Sequence, residues 1–303
     1  MMEMTNTRIL QGLVAEGIKM RYGDKPGKVA TLRWLWEIKQ IIDHGFVDYY
    51  LRVFWLFHQY AYSNKIGYWA CGATPSSIVC YALGLTKVDP LYYGLHSVRF
   101  VNDKRPKFQF DIESSRYNEF KEGSVKYLEV KASPAISANI QASLYENITP
   151  MNYLSRRKER SVPRNLDDEI AEYALTFPGK DSLFNEYNLR KDGKEWAQTG
   201  IAPLDEILTP TYGLLVYQEQ MLDILRLFFN YSALERNNIR LAIHRGETKQ
   251  IAAYKAKHYE KPHILSANEY EVVWDVLISN PKAFLKAHAV SWVISRYYFN
   301  KEY

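Results

Sequence analysis

Two acidic residues, Asp111 and Glu113, alternate with apolar residues in the run Phe108 to Glu113. This alternation is typical of a β-strand, in which every second side chain points to the same face. The two carboxylates are therefore expected to project together above a packed apolar face. Neighbouring carboxylates repel each other unless a cation or water screens them, and Mg²⁺ takes oxygen ligands of this kind. The pair is a candidate platform for two-metal chemistry, and the alternative is a solvated strand face with two surface acids.

The composition is that of a globular protein: 303 residues, 47% hydrophobic and 24% charged, enough for one large or two modest domains. The formal charge of +5 permits a nucleic-acid partner without requiring one. Aromatic residues make up 15% of the chain, and most of them are expected in cores, although they also suit base stacking. The two cysteines, Cys71 and Cys80, exclude a disulfide scaffold and make the cytoplasm the expected compartment. The most hydrophobic segment, Tyr49 to Tyr62, is too short and too polar to span a bilayer, so no membrane partner is expected.

Apolar spacing predicts three helices at the start of the chain, 5–21, 28–43 and 49–64. Their expected buried residues are Ile9, Leu10, Leu13 and Ile18 in the first and Leu32, Leu35, Trp36, Ile38 and Ile42 in the second, which Gly45 ends. A short strand is predicted at Ile66 to Ala70. The small-residue turn Cys71 to Ser77 follows it and leads into the apolar run Ile78 to Leu83, an arrangement that can hold an anion at a helix N-terminus.

The rest of the chain is predicted to be a neighbouring strand at Val125 to Val130, a short helix at Ala135 to Tyr145, and then mostly helix. The later helices are expected at 166–175, 215–229, 232–244, 249–259, 269–278 and 284–298. A basic stretch from Ser155 to Arg164 separates the two halves and is either a solvated linker or a contact for phosphate backbones. The prediction is an α+β domain at 1–150 followed by a helical domain at 151–303.

Several strings in the sequence agree in order with one known family. They are Gly84 to Leu95 with Arg99 to Asn102 and Arg105, then Asp111-Ile112-Glu113, then Thr211 to Gln220, and finally Phe284 to Ala289. This series resembles the alpha subunit of bacterial DNA polymerase III, the C-family replicative DNA polymerases. The resemblance extends from about Leu13 to Tyr298.

The resemblance implies a palm of the nucleotidyltransferase β type followed by a mostly helical fingers domain. Asp111 and Glu113 would be the first two of three acids that bind Mg²⁺ or Mn²⁺. The third would be Glu129, although Leu128 competes with it for the family's acidic position. The nucleotide would meet Gly72 and Ala73 in the phosphate turn and Arg240, Arg245, Lys286 and His288 in the fingers. Tyr217, Gln218, Glu219 and Gln220 would support the fingers, with buried hydrogen bonds the expected role of the last two.

The sequence also departs from the family pattern. Cys71 and Ala73 stand where the family's phosphate turn has an arginine and a serine, and a thiol cannot replace a guanidinium on phosphate. Glu113 replaces the usual aspartate, which moves the ligand oxygens outward. Only Ser114 to Val125 separates the acidic pair from the third acid, so the family's thumb is expected to be deleted. The sequence is therefore expected to hold a palm and fingers alone.

The first functional hypothesis is a DNA-directed DNA polymerase that adds deoxynucleotides to a primer 3′ end, with primer-template DNA, dNTPs and other replisome subunits as partners. The small size suggests a phage or a mobile element. The first alternative is a catalytically degenerate relative that serves as a DNA-binding or scaffold subunit, and the second is a template-independent nucleotidyltransferase. The polymerase hypothesis expects Asp111, Glu113 and an acid from Lys126 to Lys131 to converge, with Gly72 nearby.

Overall fold

The computed structural model describes residues 2–131, 148–151, 163–177, 179–259 and 265–299, without the side chains of residues 2–4, 129–131, 258, 259 and 299. The chain forms two compact units: unit 1 consists of Met1–Lys158 and Val290–Tyr303, and unit 2 of Glu159–Ala289. Within the described ranges the chain is mostly helical and has one three-stranded sheet. The helix predicted at Ala135 to Tyr145 and the basic residues before Arg164 lie outside these ranges. None of the described helices is long and apolar enough to cross a membrane.

Unit 1 contains the sheet and the helices around it. Its elements are α1 (Met2–Tyr22), α2 (Lys28–Asp43), α3 (Val47–Trp55), a π-helix (Leu56–Ala61), β1 (Tyr68–Ala70), a 3₁₀ turn (Thr74–Ser76), α4 (Ile78–Ala82), a 3₁₀ turn (Ser97–Arg99), β2 (Phe110–Glu113), a 3₁₀ turn (Ser114–Arg116), α5 (Tyr117–Lys131) and β3 (Ile148–Met151). The predicted helix at 28–43 and the strand–turn–helix from β1 to α4 are confirmed.

The central strand of the sheet is β2, which carries the two acids. It pairs antiparallel with β1, where Trp69 lies opposite Asp111. It pairs parallel with β3, where Thr149 lies opposite Asp111. The side chains of Phe110 and Ile112 are fully buried, which confirms the predicted alternation along this strand.

The prediction of a strand at Val125 to Val130 is wrong, because this segment belongs to helix α5. Phe120, Ser124 and Leu128 follow one another at four-residue intervals and are all buried. That spacing places them on one face of a helix rather than on alternate faces of a strand. The strand that pairs with β2 on this side is β3, which the sequence analysis did not predict.

Aromatic rings fill the space between the sheet and the helices of unit 1. The ring of Phe108 meets the edges of Tyr49, Tyr50 and Phe100, with centroid distances of 5.3, 5.0 and 5.0 Å. The rings of Phe57 and Phe110 lie 4.0 Å apart. Edge-to-face and offset contacts of this kind add to the free energy of burial, which explains much of the high aromatic content.

The buried face of α2 differs from the predicted one. Leu32 and Leu35 are 58% and 45% exposed, whereas Glu37 is fully buried. The Glu37 carboxylate accepts hydrogen bonds from Ser77 Oγ at 2.7 Å and from the first two backbone N–H groups of α4. It also pairs with Arg33 Nε at 2.7 Å. These contacts turn the Glu37 side of α2 inward, which an apolar pattern alone cannot indicate.

Unit 2 is helical throughout its described part, apart from turns. It contains α6 (Leu166–Leu175), α7 (Asp181–Lys191), α8 (Ala202–Leu208), a 3₁₀ turn (Thr209–Thr211), α9 (Gln218–Phe229), α10 (Ala233–Arg245), α11 (Thr248–Tyr259) and α12 (Ala267–Ser279), and the final helix α13 (Lys286–Phe299) begins in it. The predicted bounds of α6 are confirmed, and those of α9 to α13 differ by a few residues at their ends. Phe229 packs on Tyr270 and Trp274 in the core. Helices α7 and α8 were not predicted.

We expect Gly17→Ala to destabilise the protein by several kcal/mol, because a Cβ at Gly17 would lie 2.0 Å from the backbone oxygen of Ala82. Gly12→Ala in the same helix is the matched control, since nothing lies within 4 Å of its Cβ position. The control should be neutral or gain up to ~1 kcal/mol from helix propensity. Urea denaturation of both variants tests this. Equal stabilities would show that α1 does not lie this close to α4.

We expect Glu37→Gln to lower the free energy of unfolding by about 3 kcal/mol, because it leaves the partly buried Arg33 without its counter-charge. Asp43→Asn in the same helix is the control, since the Lys39–Asp43 pair is exposed and should contribute less than ~1 kcal/mol. Both changes remove one negative charge from α2. A Glu37→Gln protein as stable as the Asp43→Asn protein would contradict the buried network.

Candidate functional site

The two acids of β2 lie on one half-buried face of the sheet. Asp111 and Glu113 are two residues apart on a regular strand, and the residues that alternate with them are buried. Gln109, two residues before Asp111, follows the same alternation. The strand therefore holds a polar row above an apolar one, as its sequence predicts.

Both carboxylates are oriented by hydrogen bonds from the protein. Thr149 Oγ1 on β3 donates to Asp111 Oδ1. Ser115 Oγ donates to Glu113 Oε1 at 2.6 Å, and the backbone N–H of Gly67 donates to Glu113 Oε2 at 3.3 Å. A carboxylate that ligates a cation is commonly held by such partners. Thr149 is not among the predicted site residues, because the sequence of strand β3 has no clear alternation.

The turn after β1 is attached to the strand that carries the acids. Cys71 N donates to the backbone oxygen of Gln109 at 2.9 Å, and Gln109 N donates to Thr74 Oγ1 at 2.9 Å. Gly72 has a φ of +58°, and a Cβ there would lie 1.5 Å from Gln109 Oε1. Glycine is therefore favoured at this position by its left-handed backbone conformation, whereas the close atoms belong to the end of the flexible Gln109 side chain, which can move aside. The turn places Gly72 next to the polar row of β2, with Ala73 following it.

The N-terminus of α4 is occupied by the protein's own carboxylate. The N–H groups of Ile78 and Val79 donate to Glu37, and the N–H of Cys80 donates to Ser77 Oγ. These are the donors that an external anion would need. The expectation of an anion at this helix N-terminus is therefore wrong, because Glu37 fills the place.

The third acid of the predicted site is Glu129, which lies on α5 and not on a strand beside β2. Its side chain is outside the described part of the structure, so its role as a ligand stays a prediction. Leu128, the competing position, is buried in the core and carries no ligand atom. Among the described side chains, no group of three or more His, Cys, Asp or Glu is arranged to hold a metal ion.

In unit 2, the string from Tyr217 to Gln220 forms the start of α9. Gln220 Oε1 accepts hydrogen bonds from the backbone N–H groups of Val216 and Tyr217 at 2.8 and 2.9 Å. Its amide nitrogen donates to Thr211 Oγ1 at 2.7 Å. Gln218 Nε2 donates to the backbone oxygen of Ala283 at 3.0 Å. The string is thus held by buried hydrogen bonds.

Glu219 joins this string to the one that contains Lys286 and His288. Its carboxylate is buried and accepts hydrogen bonds from the N–H groups of Lys286 and Ala287 at 2.8 and 3.2 Å. The acid therefore caps the N-terminus of α13, where the helix dipole favours a negative charge. The two strings lie far apart in sequence, but the structure brings them together.

The four basic residues of the predicted nucleotide site have different surroundings. Lys286 Nζ lies 5.7 Å from the Tyr217 ring centroid, and His288 Nε2 lies 3.3 Å from Tyr173 Oη. Arg240 is buried and donates to Asn237 Oδ1, whereas Arg245 is exposed. Because the two arginines are five positions apart on α10, their directions differ by about 140° around the helix.

A buried lysine, which the sequence analysis did not single out, lies next to Phe284 and the α13 string. Lys180 Nζ is 5.2 Å from the Phe284 ring centroid and donates to the backbone oxygen of Ala174 at 3.3 Å. Burial lowers the pKa of Lys180 to about 8 from its ordinary 10.5. No periodicity signals it, since it lies between helices α6 and α7.

The unfolded state binds the Lys180 proton more tightly than the folded state does. As the pH rises, the free energy of unfolding of the wild type should therefore increase relative to that of the Lys180→Met protein. From the two pKa values, the gain between pH 7.5 and 10.5 should be about 2–3 kcal/mol. Urea denaturation across this range measures it. Lys282→Met, at an exposed position, is the control and should run parallel to the wild type. A Lys180→Met difference that does not vary with pH would contradict the lowered pKa.

Sequence models of two domains from known proteins match this chain, one after the other. The sequence model of the bacterial DNA polymerase III alpha NTPase domain matches residues 8–141. The model of the bacterial DNA polymerase III alpha subunit finger domain matches residues 153–263. Between them they cover the polar row of β2, the turn after β1 and the string that starts α9.

Curated relatives match a shorter part of the chain. The DNA polymerase III subunit alpha of Borreliella burgdorferi is 40% identical over 107 residues, which cover 34% of this chain and 9% of the relative. The error-prone DNA polymerase of Cutibacterium acnes is 38% identical over 113 residues, or 36% of this chain and 10% of the relative. The DNA polymerase III subunit alpha of Helicobacter pylori is 30% identical over 141 residues, or 45% of this chain and 12% of the relative.

The chain thus spans about a tenth of the length of the relatives it matches. Two domains of one family nevertheless match it in chain order, and together they account for most of residues 8–263. The chain is therefore a bacterial DNA polymerase III alpha-like protein over residues 8–141 and 153–263.

Proposed function

We propose that this protein transfers deoxynucleotides to the 3′ end of a DNA primer, with unit 1 as its palm and unit 2 as its fingers. The observation that carries the proposal is the half-buried polar row of β2, on which Asp111 and Glu113 share one face. The relatives are named as DNA polymerases, which fits this chemistry. Primer-template DNA, dNTPs and other replisome subunits are the proposed partners.

The polar row fits a hard divalent cation. Asp111 and Glu113 offer carboxylate oxygens, which Mg²⁺ prefers, and hydrogen bonds from Thr149, Ser115 and Gly67 fix their orientation. A bound Mg²⁺ or Mn²⁺ would activate the primer hydroxyl and neutralise triphosphate charge. Glu129 on α5 is the proposed third ligand.

Each unit carries residues that we propose contact the nucleotide. Gly72 and Ala73 lie in the turn attached to Gln109, at the edge of the polar row. In unit 2, we propose that Lys286 and His288 meet the incoming nucleotide, because Glu219 fixes the helix turn that carries them. Arg240 and Arg245 belong to the same proposal as further basic groups of the fingers.

A second function, a catalytically degenerate DNA-binding or scaffold subunit, is favoured by the phosphate turn. Cys71 and Ala73 supply no cation and no hydroxyl, and the N–H groups of α4 below them are taken by Glu37. Leu128, which competes with Glu129 for the family's acidic position, is buried. Such a protein would bind DNA with a strong dependence on salt but would not extend a primer.

Primer extension with Mg²⁺ and then Mn²⁺ separates the two functions. We expect Asp111→Asn to lower incorporation by about a hundredfold or more, because charge stabilisation by a bound cation contributes several kcal/mol. Asp103→Asn removes the same charge at an exposed position and should leave incorporation unchanged.

Incorporation that survives Asp111→Asn would remove the β2 row from the mechanism. No incorporation by the wild type, together with salt-sensitive DNA binding, would establish the scaffold function. Calorimetric titration of Mg²⁺ in the presence of dNTP provides an independent measure, since Asp111→Asn should weaken the uptake of the cation.

A further inference from the structure

Helix α2 carries an apolar stripe on the side that faces solvent. Seven of its residues are exposed and form what we call the outer face of α2: Lys28, Val29, Leu32, Leu35, Trp36, Lys39 and Asp43. At ~100° per residue, all seven lie within an arc of about 120° around the helix axis. The four apolar residues among them are 71%, 58%, 45% and 36% exposed, in chain order. Large apolar side chains that cluster on one surface, unlike scattered ones, mark a site of interaction.

The buried network around Glu37 keeps this face turned outward. Glu37 lies about 140° around the helix from Leu32, which is at the centre of the outer face. Its carboxylate is bonded to Ser77 and to the first N–H groups of α4, and it pairs with Arg33. Rotating α2 to bury the stripe would leave these N–H groups buried without an acceptor, which is costly. The outer face is therefore not covered by turning α2, and a second surface is needed to cover it.

The two ends of the outer face carry opposite charges. Lys28 is the first residue of α2 and has no ion-pair partner within the described ranges. Asp43 is the last residue and is bonded to Lys39 of the same helix. Because a carboxylate accepts several hydrogen bonds, Asp43 can take a further donor. A face with a cation at one end and an anion at the other is complementary to its own copy when the two run in opposite directions.

We propose that two copies of this chain pair through the outer faces of their α2 helices, antiparallel and related by a two-fold axis. Lys28 of each copy then meets Asp43 of the other, and the axis passes between Leu35 and Trp36. The aliphatic stem of Lys39 covers Leu32 of the second copy. A parallel pair would instead place like charges together at both ends, so the charges decide the direction.

The size of this interface sets the expected affinity. Each copy contributes one helix, so the pair buries less than the roughly 1,600 Å² of a standard protein–protein interface. We therefore expect a reversible dimer with a dissociation constant in the micromolar range. The pairing does not depend on catalysis at β2.

Sedimentation equilibrium of the full chain between about 1 and 100 μM tests the proposal. Leu35→Glu places a charge next to the two-fold axis, and glutamate at this exposed helical position poses little risk to folding. Leu234→Glu is the matched control, since Leu234 is 49% exposed in α10 of unit 2. The wild type and the control should dimerise equally, and the Leu35→Glu protein about tenfold or more weakly.

Charge reversal tests the antiparallel direction. Lys28→Glu and Asp43→Lys each bring like charges together at both ends of the dimer. Each also suits its own end of the helix, since an acid is favoured at the N-terminus and a base at the C-terminus, so the single chain is not destabilised. We expect each single reversal to weaken dimerisation about tenfold, and the double variant to return to within about threefold of the wild type.

A wild type that stays monomeric up to about 100 μM would assign the outer face to a different partner and overturn the proposal. So would a folded Leu35→Glu protein that dimerises as well as the wild type, with folding checked by circular dichroism. Single reversals without effect, or a double variant as weak as the single ones, would overturn the antiparallel pairing.

Discussion

A carboxylate that leaves water must be given hydrogen-bond donors, and in this protein the donors are the first N–H groups of other helices. The Glu37 carboxylate in α2 accepts hydrogen bonds from Ser77 and from the first N–H groups of α4, while Arg33 balances its charge. Glu219 in α9 does the same for the start of α13. In each unit, a buried acid therefore caps the start of a helix. Helix α4, capped by Glu37, directly follows the turn that resembles the family's phosphate turn. Helix α13, capped by Glu219, begins within the string Phe284 to Ala289.

The sequence predicts helix positions well because apolar spacing over three or four turns is a strong signal. The bounds of α2 and α6 follow from it. The orientation of α2 does not, since its inward face is set by Glu37, which a hydropathy pattern assigns to solvent. Within α5, the apolar run Val125 to Val130 is too short to distinguish a helical period from a period of two, so the sequence predicts a strand there. Its buried residues, Phe120 and Leu128, show the helical spacing only over a longer stretch.

The candidate site was predictable to the extent that it is local in sequence. Asp111 and Glu113 share a face because they belong to one strand, and Gly72 reaches that face through a turn of a few residues. The partner of Asp111, Thr149, comes from a strand 38 residues away and could not be foreseen. The same holds for Lys180, whose altered acidity arises from burial between helices and not from any motif.

The two cysteines differ in solvent exposure, since Cys71 lies on the turn beside β2 and Cys80 lies in α4. Burial raises the pKa of the Cys80 thiol well above its usual range, so this thiol stays protonated and unreactive at neutral pH. Cys71, by contrast, is half-buried on the turn that is bonded to Gln109. A thiol-directed fluorophore would therefore attach to one position, which gives the native chain a reporter next to its acidic row without any engineered residue.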